Sequence, residues 1–105
     1  MEHLQFRFDG GKPVLAAEPQ LVGVVASGNL EVLVEHVALG GGCEVDVNTA
    51  VNGFGAIWKE VARDFFERHR RGDVRLSVND AGATPATVSL RLDQAIEAFV
   101  AAGAR

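Results

Sequence analysis

The sequence has one cysteine, Cys43, one tryptophan, Trp58, and no tyrosine in 105 residues. A lone cysteine closes no internal disulfide, and small secreted domains usually need several. A reducing cytoplasm is therefore the expected compartment. Without tyrosine and with a single tryptophan there is no aromatic platform for stacking bases. Basic residues are the scarcer charge, ten against fourteen acidic, for a net charge of −4. An acidic surface repels phosphate backbones, which argues against a nucleic-acid partner. Long apolar runs are missing too. Stretches such as Leu21 to Ala26 fall far short of the ~20 residues a membrane-spanning helix needs. Met1-Glu2-His3-Leu4-Gln5 has no basic start followed by an apolar run, so no signal peptide is expected. Repeats, low-complexity tracts and linkers are also absent. With 48% apolar residues the chain is too hydrophobic for disorder. Its length suits one domain over residues 1–105.

What is present is mostly period-two alternation. Leu4, Phe6 and Phe8 alternate with Gln5 and Arg7, as in a half-buried strand. Asp9-Gly10-Gly11-Lys12-Pro13 reads as a turn ending it, and residues 14–20 read as a loop. Leu21 to Ala26 is apolar on both faces, like a central strand. Ser27-Gly28-Asn29 then gives a tight hairpin signal. Leu30, Val32 and Val34 alternate with Glu31 and Glu35. Gly40-Gly41-Gly42 reads as a hairpin tip. Cys43, Val45, Val47, Thr49 and Val51 alternate with Glu44, Asp46 and Asn48, the cleanest strand pattern in the chain. Val74, Leu76 and Val78 alternate with Arg75, Ser77 and Asn79.

Two segments change period. Phe54, Ile57, Trp58, Val61 and Phe65 fall on one helical face. Asn52 or Gly53 is the expected cap, and Gly72 the expected stop. His69-Arg70-Arg71 place cations at the negative end of that helix dipole. Further on, Thr84-Pro85 reads as an N-cap followed by proline at the first helical position. Val88, Leu92, Ala95, Ile96 and Phe99 mark a second amphipathic helix, with Gly103 just past its end. The order of elements predicts an α+β, two-layer domain. Its sheet is mainly antiparallel, with four to five strands, covered by two amphipathic helices.

Catalytic patterns are sparse. His3, His36 and His69 fall on separate elements without metal-ligand spacing, so neither a metal site nor a catalytic site is expected. Cys43 starts an inward-pointing row and reads as a buried apolar residue. Asn52-Gly53-Phe54-Gly55 can cradle an anion at a helix start or simply cap it. Asp80 to Pro85 presents the same choice, with capping favoured. Arg71-Gly72-Asp73 spells an adhesion tripeptide, read here as a helix-to-strand turn. Ser27 carries two readings. One is an ordinary turn serine. The other is an attachment point, exposed at a turn tip between Ala26 and Gly28, which are small enough for another enzyme to close over its hydroxyl. Glu31 and Glu35 are a solvated strand face or an acidic docking face.

Leu21-Val22-Gly23-Val24-Val25-Ala26-Ser27-Gly28-Asn29-Leu30-Glu31-Val32-Leu33 resembles the prosthetic-group segment of the malonate decarboxylase acyl carrier, or delta subunit, family. The resemblance continues in order through Val51-Asn52-Gly53-Phe54-Gly55 with Trp58, Phe65-Phe66 with Arg68-His69, Asn79-Asp80-Ala81-Gly82-Ala83-Thr84-Pro85 and Leu90-Arg91-Leu92. These blocks cover nearly the whole chain. The citrate lyase carrier (gamma) subunit is similar at greater distance, through its serine hairpin and Asp-x-Gly-Ala turn. Asn29 departs from the family, which often has Asp there; the change leaves attachment intact and bears on docking.

The resemblance implies that Ser27 carries phosphoribosyl-dephospho-coenzyme A through a phosphodiester bond. It implies a carrier that is not catalytic alone. Acetyl and malonyl thioesters would be borne on the arm, the acetyl group being exchanged for malonate before carbon dioxide is removed. The implied partners are an acetyl-carrier:malonate transferase subunit, decarboxylase subunits, a prosthetic-group transferase and a malonyl transferase. The implied complex is a biotin-independent malonate decarboxylase of the cytoplasm. Two alternatives stay open: a citrate-lyase-type carrier, and an unmodified interaction module bridging enzyme subunits.

Overall fold

The computed structural model of the chain describes residues 1–104. Its elements are β1 (Glu2–Phe8), β2 (Lys12–Pro13), β3 (Gln20–Gly23), β4 (Leu30–His36), β5 (Cys43–Thr49), α1 (Gly55–His69), β6 (Arg71–Gly72), β7 (Val74–Asp80) and α2 (Pro85–Gly103). Five strands form a mixed sheet in the order β1-β5-β7-β4-β3, and β2 pairs with β6 separately. Both helices cover the same face of the sheet. Leu30, Val32, Val34, Val45, Val47, Val74, Leu76 and Val78 turn towards them and are fully buried. Their alternating neighbours Glu44, Asp46, Arg75 and Ser77 form the opposite, wetter face. The α+β, two-layer expectation thus describes the molecule.

The sheet differs from expectation where pairing is non-local. Gly40–Gly42 is not a hairpin tip, because β7 lies between β4 and β5 and is parallel to β5. A parallel pair needs a crossover, and α1 supplies it. The glycines instead let three backbone segments cross. Gly11 N–H donates to Gly41 O (2.9 Å), and Asp73 N–H donates to Gly42 O (2.7 Å). A Cβ on Gly72 would strike the Gly41 carbonyl, so no other residue fits there without a shift. Asp73 completes the crossing by accepting the Leu39 and Gly41 N–H groups at 3.0 and 2.8 Å. The expected turn at residues 9–13 partly joins this arrangement, since Lys12–Pro13 runs parallel to Arg71–Gly72.

The stretch from Leu21 to Ala26 is an edge strand that ends at Gly23, not a central strand. Leu21, Val24 and Val25 are exposed. Apolarity on both faces here reflects open surface rather than burial on two sides.

Helix α1 is rotated from its expected face. Trp58, Ala62, Phe65 and Phe66 are buried, while Phe54 and Ile57 are 47% and 44% exposed. Phe54 is the N-cap and no side chain caps it, so neither Asn52 nor Gly53 does. The helix stops at Arg70, in the left-handed conformation with φ 50°, before Gly72 is reached. In α2 the expected face is the buried one. Each large side chain buried this way contributes roughly 1.5–3 kcal/mol. Asp93 of α2 fastens the helices together. It accepts from Arg68 Nη2 at 2.9 Å and pairs with His69 Nε2 at 2.8 Å. No helix among the described residues is long and apolar enough to cross a membrane.

Candidate functional site

The site is built at one end of the sheet, where the register sets Leu30 and Thr49 on either side of Asp80. On the Leu30 side lies the turn bearing Ser27. Asn29 N–H donates to Ala26 O at 2.8 Å, closing a four-residue turn with Ser27 and Gly28 at its centre. Gly28 has φ 74°, the positive value that the third position of a type II turn requires. The connection as a whole is longer than the tight hairpin expected at Ser27-Gly28-Asn29. Residues 24–29 connect β3 to β4, and the tight turn sits inside that connection.

Outside contacts fix the turn. Gly28 N–H donates to Ala81 O (3.0 Å) and Ala81 N–H donates to Asn29 O (2.9 Å). Asn29 Oδ1 accepts from Leu30 N–H at 2.8 Å and from Arg91 Nε at 3.3 Å. An aspartate at this position would offer the same acceptor oxygen. Ser27 itself is exposed, and a Cβ added to its neighbour Gly28 would meet nothing within 4 Å. An exposed hydroxyl on an anchored turn, with open space beside it, fits covalent attachment of a bulky group. Arg91 brings a guanidinium to the same turn, suited to a phosphate.

On the Thr49 side a cleft of about 300 Å³ opens between the 49–54 segment, α1 and the 80–85 turn. Its walls include Val51, Phe54, Ile57, Trp58, Pro85 and Val88. Asp80, 6% exposed, lies at its base. One carboxylate oxygen accepts from Thr49 Oγ1 at 2.8 Å and the other from Ala83 N–H at 2.9 Å. Thr84 Oγ1 accepts from Thr87 N–H at 3.2 Å. Thr84 thus caps α2, while Asp80 closes the turn that precedes it.

A family model described as malonate decarboxylase delta subunit (MdcD) matches residues 17–99, which include the Ser27 turn and every residue lining the cleft. The chain belongs to the malonate decarboxylase acyl carrier family. It is 59% identical over 105 residues to the malonate decarboxylase acyl carrier protein of Xanthomonas axonopodis pv. citri (strain 306), covering 99% of this chain and all of that one. It is likewise 59% identical over 95 residues to the Burkholderia cepacia protein of the same name, covering 90% of this chain and 87% of that one. A chain in the crystal structure of a Pseudomonas malonate decarboxylase hetero-tetramer in complex with malonate has the same fold. The TM-score is 0.84 at 36% identity, covering 94% of this chain and 99% of that one.

Other candidates from the sequence lie elsewhere in this carrier-family fold. Glu31 and Glu35 are on the outer face of β4, and Asn79 Nδ2 donates to Glu31 Oε1 at 2.9 Å. His3, His36 and His69 sit on β1, β4 and α1. Cys43 is buried as expected; burial, with the Glu44 charge adding, pushes its thiol up to about 12. Such a thiol stays protonated and unreactive near neutral pH. The sequence reading missed the cleft altogether. Phe54 and Ile57 fit the helical core pattern, and only the tertiary position of α1 reveals that they face open space.

Proposed function

We propose that this chain, as one domain over residues 1–105, is the acyl carrier subunit of a biotin-independent malonate decarboxylase, bearing phosphoribosyl-dephospho-CoA on Ser27 Oγ. The observation that carries this reading is the exposed Ser27 hydroxyl on an anchored turn, in a chain that belongs to the malonate decarboxylase acyl carrier family. Through its thiol, the arm supplies thioester chemistry for acetyl and malonyl groups. Ser27 fixes the root of the arm. The Ala26–Asn29 turn presents it to solvent, and Arg91 offsets phosphodiester charge near the root. The chain contributes tethering, which raises the effective concentration of the carried group to the millimolar range for a short flexible link. Chemistry on the carried group belongs to other subunits.

Those partners are an acetyl-carrier:malonate transferase, decarboxylase subunits, a prosthetic-group transferase and a malonyl transferase. The similar Pseudomonas chain comes from a malonate decarboxylase hetero-tetramer, which supports assembly with decarboxylase subunits. The cytoplasm is the proposed compartment, in keeping with the buried, unpaired Cys43.

Intact-mass measurement tests the reading on protein purified from its native host. The parent chain is expected to carry an adduct of the arm's mass, and Ser27→Ala is expected to lose it. Unfolding free energy should stay within about 0.5 kcal/mol, because the side chain is exposed. An unmodified parent mass in a host that expresses the attachment enzymes would refute the assignment.

A further inference from the structure

Val51, Phe54 and Ile57 are large apolar side chains left exposed, and all three stand at one cleft. Concave, mostly apolar surface with a few polar groups is where small ligands bind. The cleft's volume of about 300 Å³ is roughly ten times the ~30 Å³ share of one water. That is ample space for the end of a flexible chain.

Its position narrows the occupant. Gly28, next to Ser27, is hydrogen-bonded to Ala81, and the following residues Gly82 and Ala83 line the cleft. Bond lengths along that path put the root of any group on Ser27 within about 10 Å of the cleft. A group tethered so close reaches a millimolar effective concentration, so even a weak site is filled. Charge narrows the occupant further. The lining contains one carboxylate, Asp80, and no Lys, Arg or His. An uncharged end meets apolar walls. An anionic end meets a like charge and loses its hydration without compensation.

We propose that the cleft holds the thioester end of the arm on Ser27 when that end carries an acetyl group, and turns it out when it carries malonyl. This inference rests on the carrier reading above. It makes the carrier a selective shelter: the neutral acetyl thioester is shielded from water, while the malonyl thioester stays available to a partner subunit.

Trp58 is the sole tryptophan and lines the cleft, so its emission reports occupancy directly. Emission and the rate of thioester cleavage by hydroxylamine are to be measured on unmodified, acetyl-loaded and malonyl-loaded protein. The expected result is a Trp58 spectral change in the acetyl form alone. Cleavage of the acetyl thioester should be about threefold slower than that of free S-acetylpantetheine, the factor for an effective concentration about twice the site's dissociation constant. Ile57→Glu, at an exposed rim position, should remove both effects.

A titration independent of loading uses S-acetylpantetheine itself as the probe on unmodified parent protein. Millimolar additions should reproduce the spectral change. Equal emission in all forms, equal protection of the two thioesters, or no response to the free probe overturns the proposal. If intact mass shows the arm on Ser27 while Trp58 is silent, this inference fails and the carrier reading stands. If native protein lacks the arm, the carrier reading fails, and the free-probe titration still reads the cleft.

Discussion

Thr84 shows how much one hydroxyl can settle. Its Oγ1 accepts the Thr87 N–H at 3.2 Å, and Pro85 follows at the first helical position, where its missing N–H costs nothing. Thr84 lies in the Asp80–Pro85 segment that opens α2, so an anion-binding role and a capping role were both open from sequence. Its hydrogen bonds serve the helix. Thr84→Ala should therefore cost about 1 kcal/mol of unfolding free energy, read from urea midpoints. Thr84→Ser should restore most of it. Loading of Ser27, followed by intact mass, should not change. Full stability with impaired loading would contradict the capping role. Ser27 is legible differently. Turn chemistry at Gly28-Asn29 marks its surroundings, but nothing in the local pattern distinguishes an attachment serine from an ordinary one. Only the longer resemblance singles it out.

Elements were readable where one periodic signal met one buried face. Strand β5 from Cys43 to Thr49, strand β7 and the buried face of helix α2 follow their patterns, because each is packed on one side and wet on the other; Val51, expected to continue the β5 row, lies beyond the strand and is exposed, and Gly103, expected just past α2, is its last residue. Three features were not readable, each for a non-local reason. The β7 strand enters between β4 and β5 only after α1 has crossed the sheet. The glycine run at 40–42 is spaced for a backbone crossing, yet a hairpin tip has the same composition. The β3 strand is apolar on both faces although one face is uncovered. Helix α1 gives a sharp test of this distinction. Phe54 and Phe65 belong to the same helical stripe in sequence, but Phe65 is 1% exposed and Phe54 47%. Phe65→Ala should cost about 3–5 kcal/mol through lost burial and a residual cavity. Phe54→Ala should cost about 1 kcal/mol or less, as at other surface positions. Parallel urea titrations with unchanged slopes would show the contrast. Similar losses would mean that the first turn of α1 packs as tightly as its middle.

At the scale of the whole molecule, two carboxylates join elements that lie far apart in sequence. Asp73 ties the 37–42 crossing to the start of β7, and Asp93 ties α2 to α1. Both carboxyls lie below their ordinary range. For Asp73 the Gly41 N–H bond contributes most, then the Leu39 bond; partial burial opposes them and the His36 charge helps. For Asp93 burial is the largest influence and acts upward, but the bonds and charges of Arg68 and His69 together outweigh it. A carboxyl more acidic in the folded state than in the unfolded state leaves the unfolded chain holding more protons between the two values. Stability then rises with pH across that interval. The contribution is complete above the unfolded carboxyl value of about 3.9 and is lost as pH falls through the lower folded values. Asp73→Asn keeps an acceptor oxygen and suits the φ of 56° at that position, so it removes the charge with little strain. The two sites share no hydrogen-bond partner, and their effects should be nearly additive. The double variant Asp73→Asn/Asp93→Asn should be less stable than the parent at pH 7. Its urea midpoint should fall less steeply between pH 5 and pH 3, and the two proteins should converge towards the acid end. Curves that stay parallel down to pH 3 would show that these carboxylates titrate alike folded and unfolded. Acid sensitivity would then have to come from the other acidic side chains of a chain whose net charge is −4.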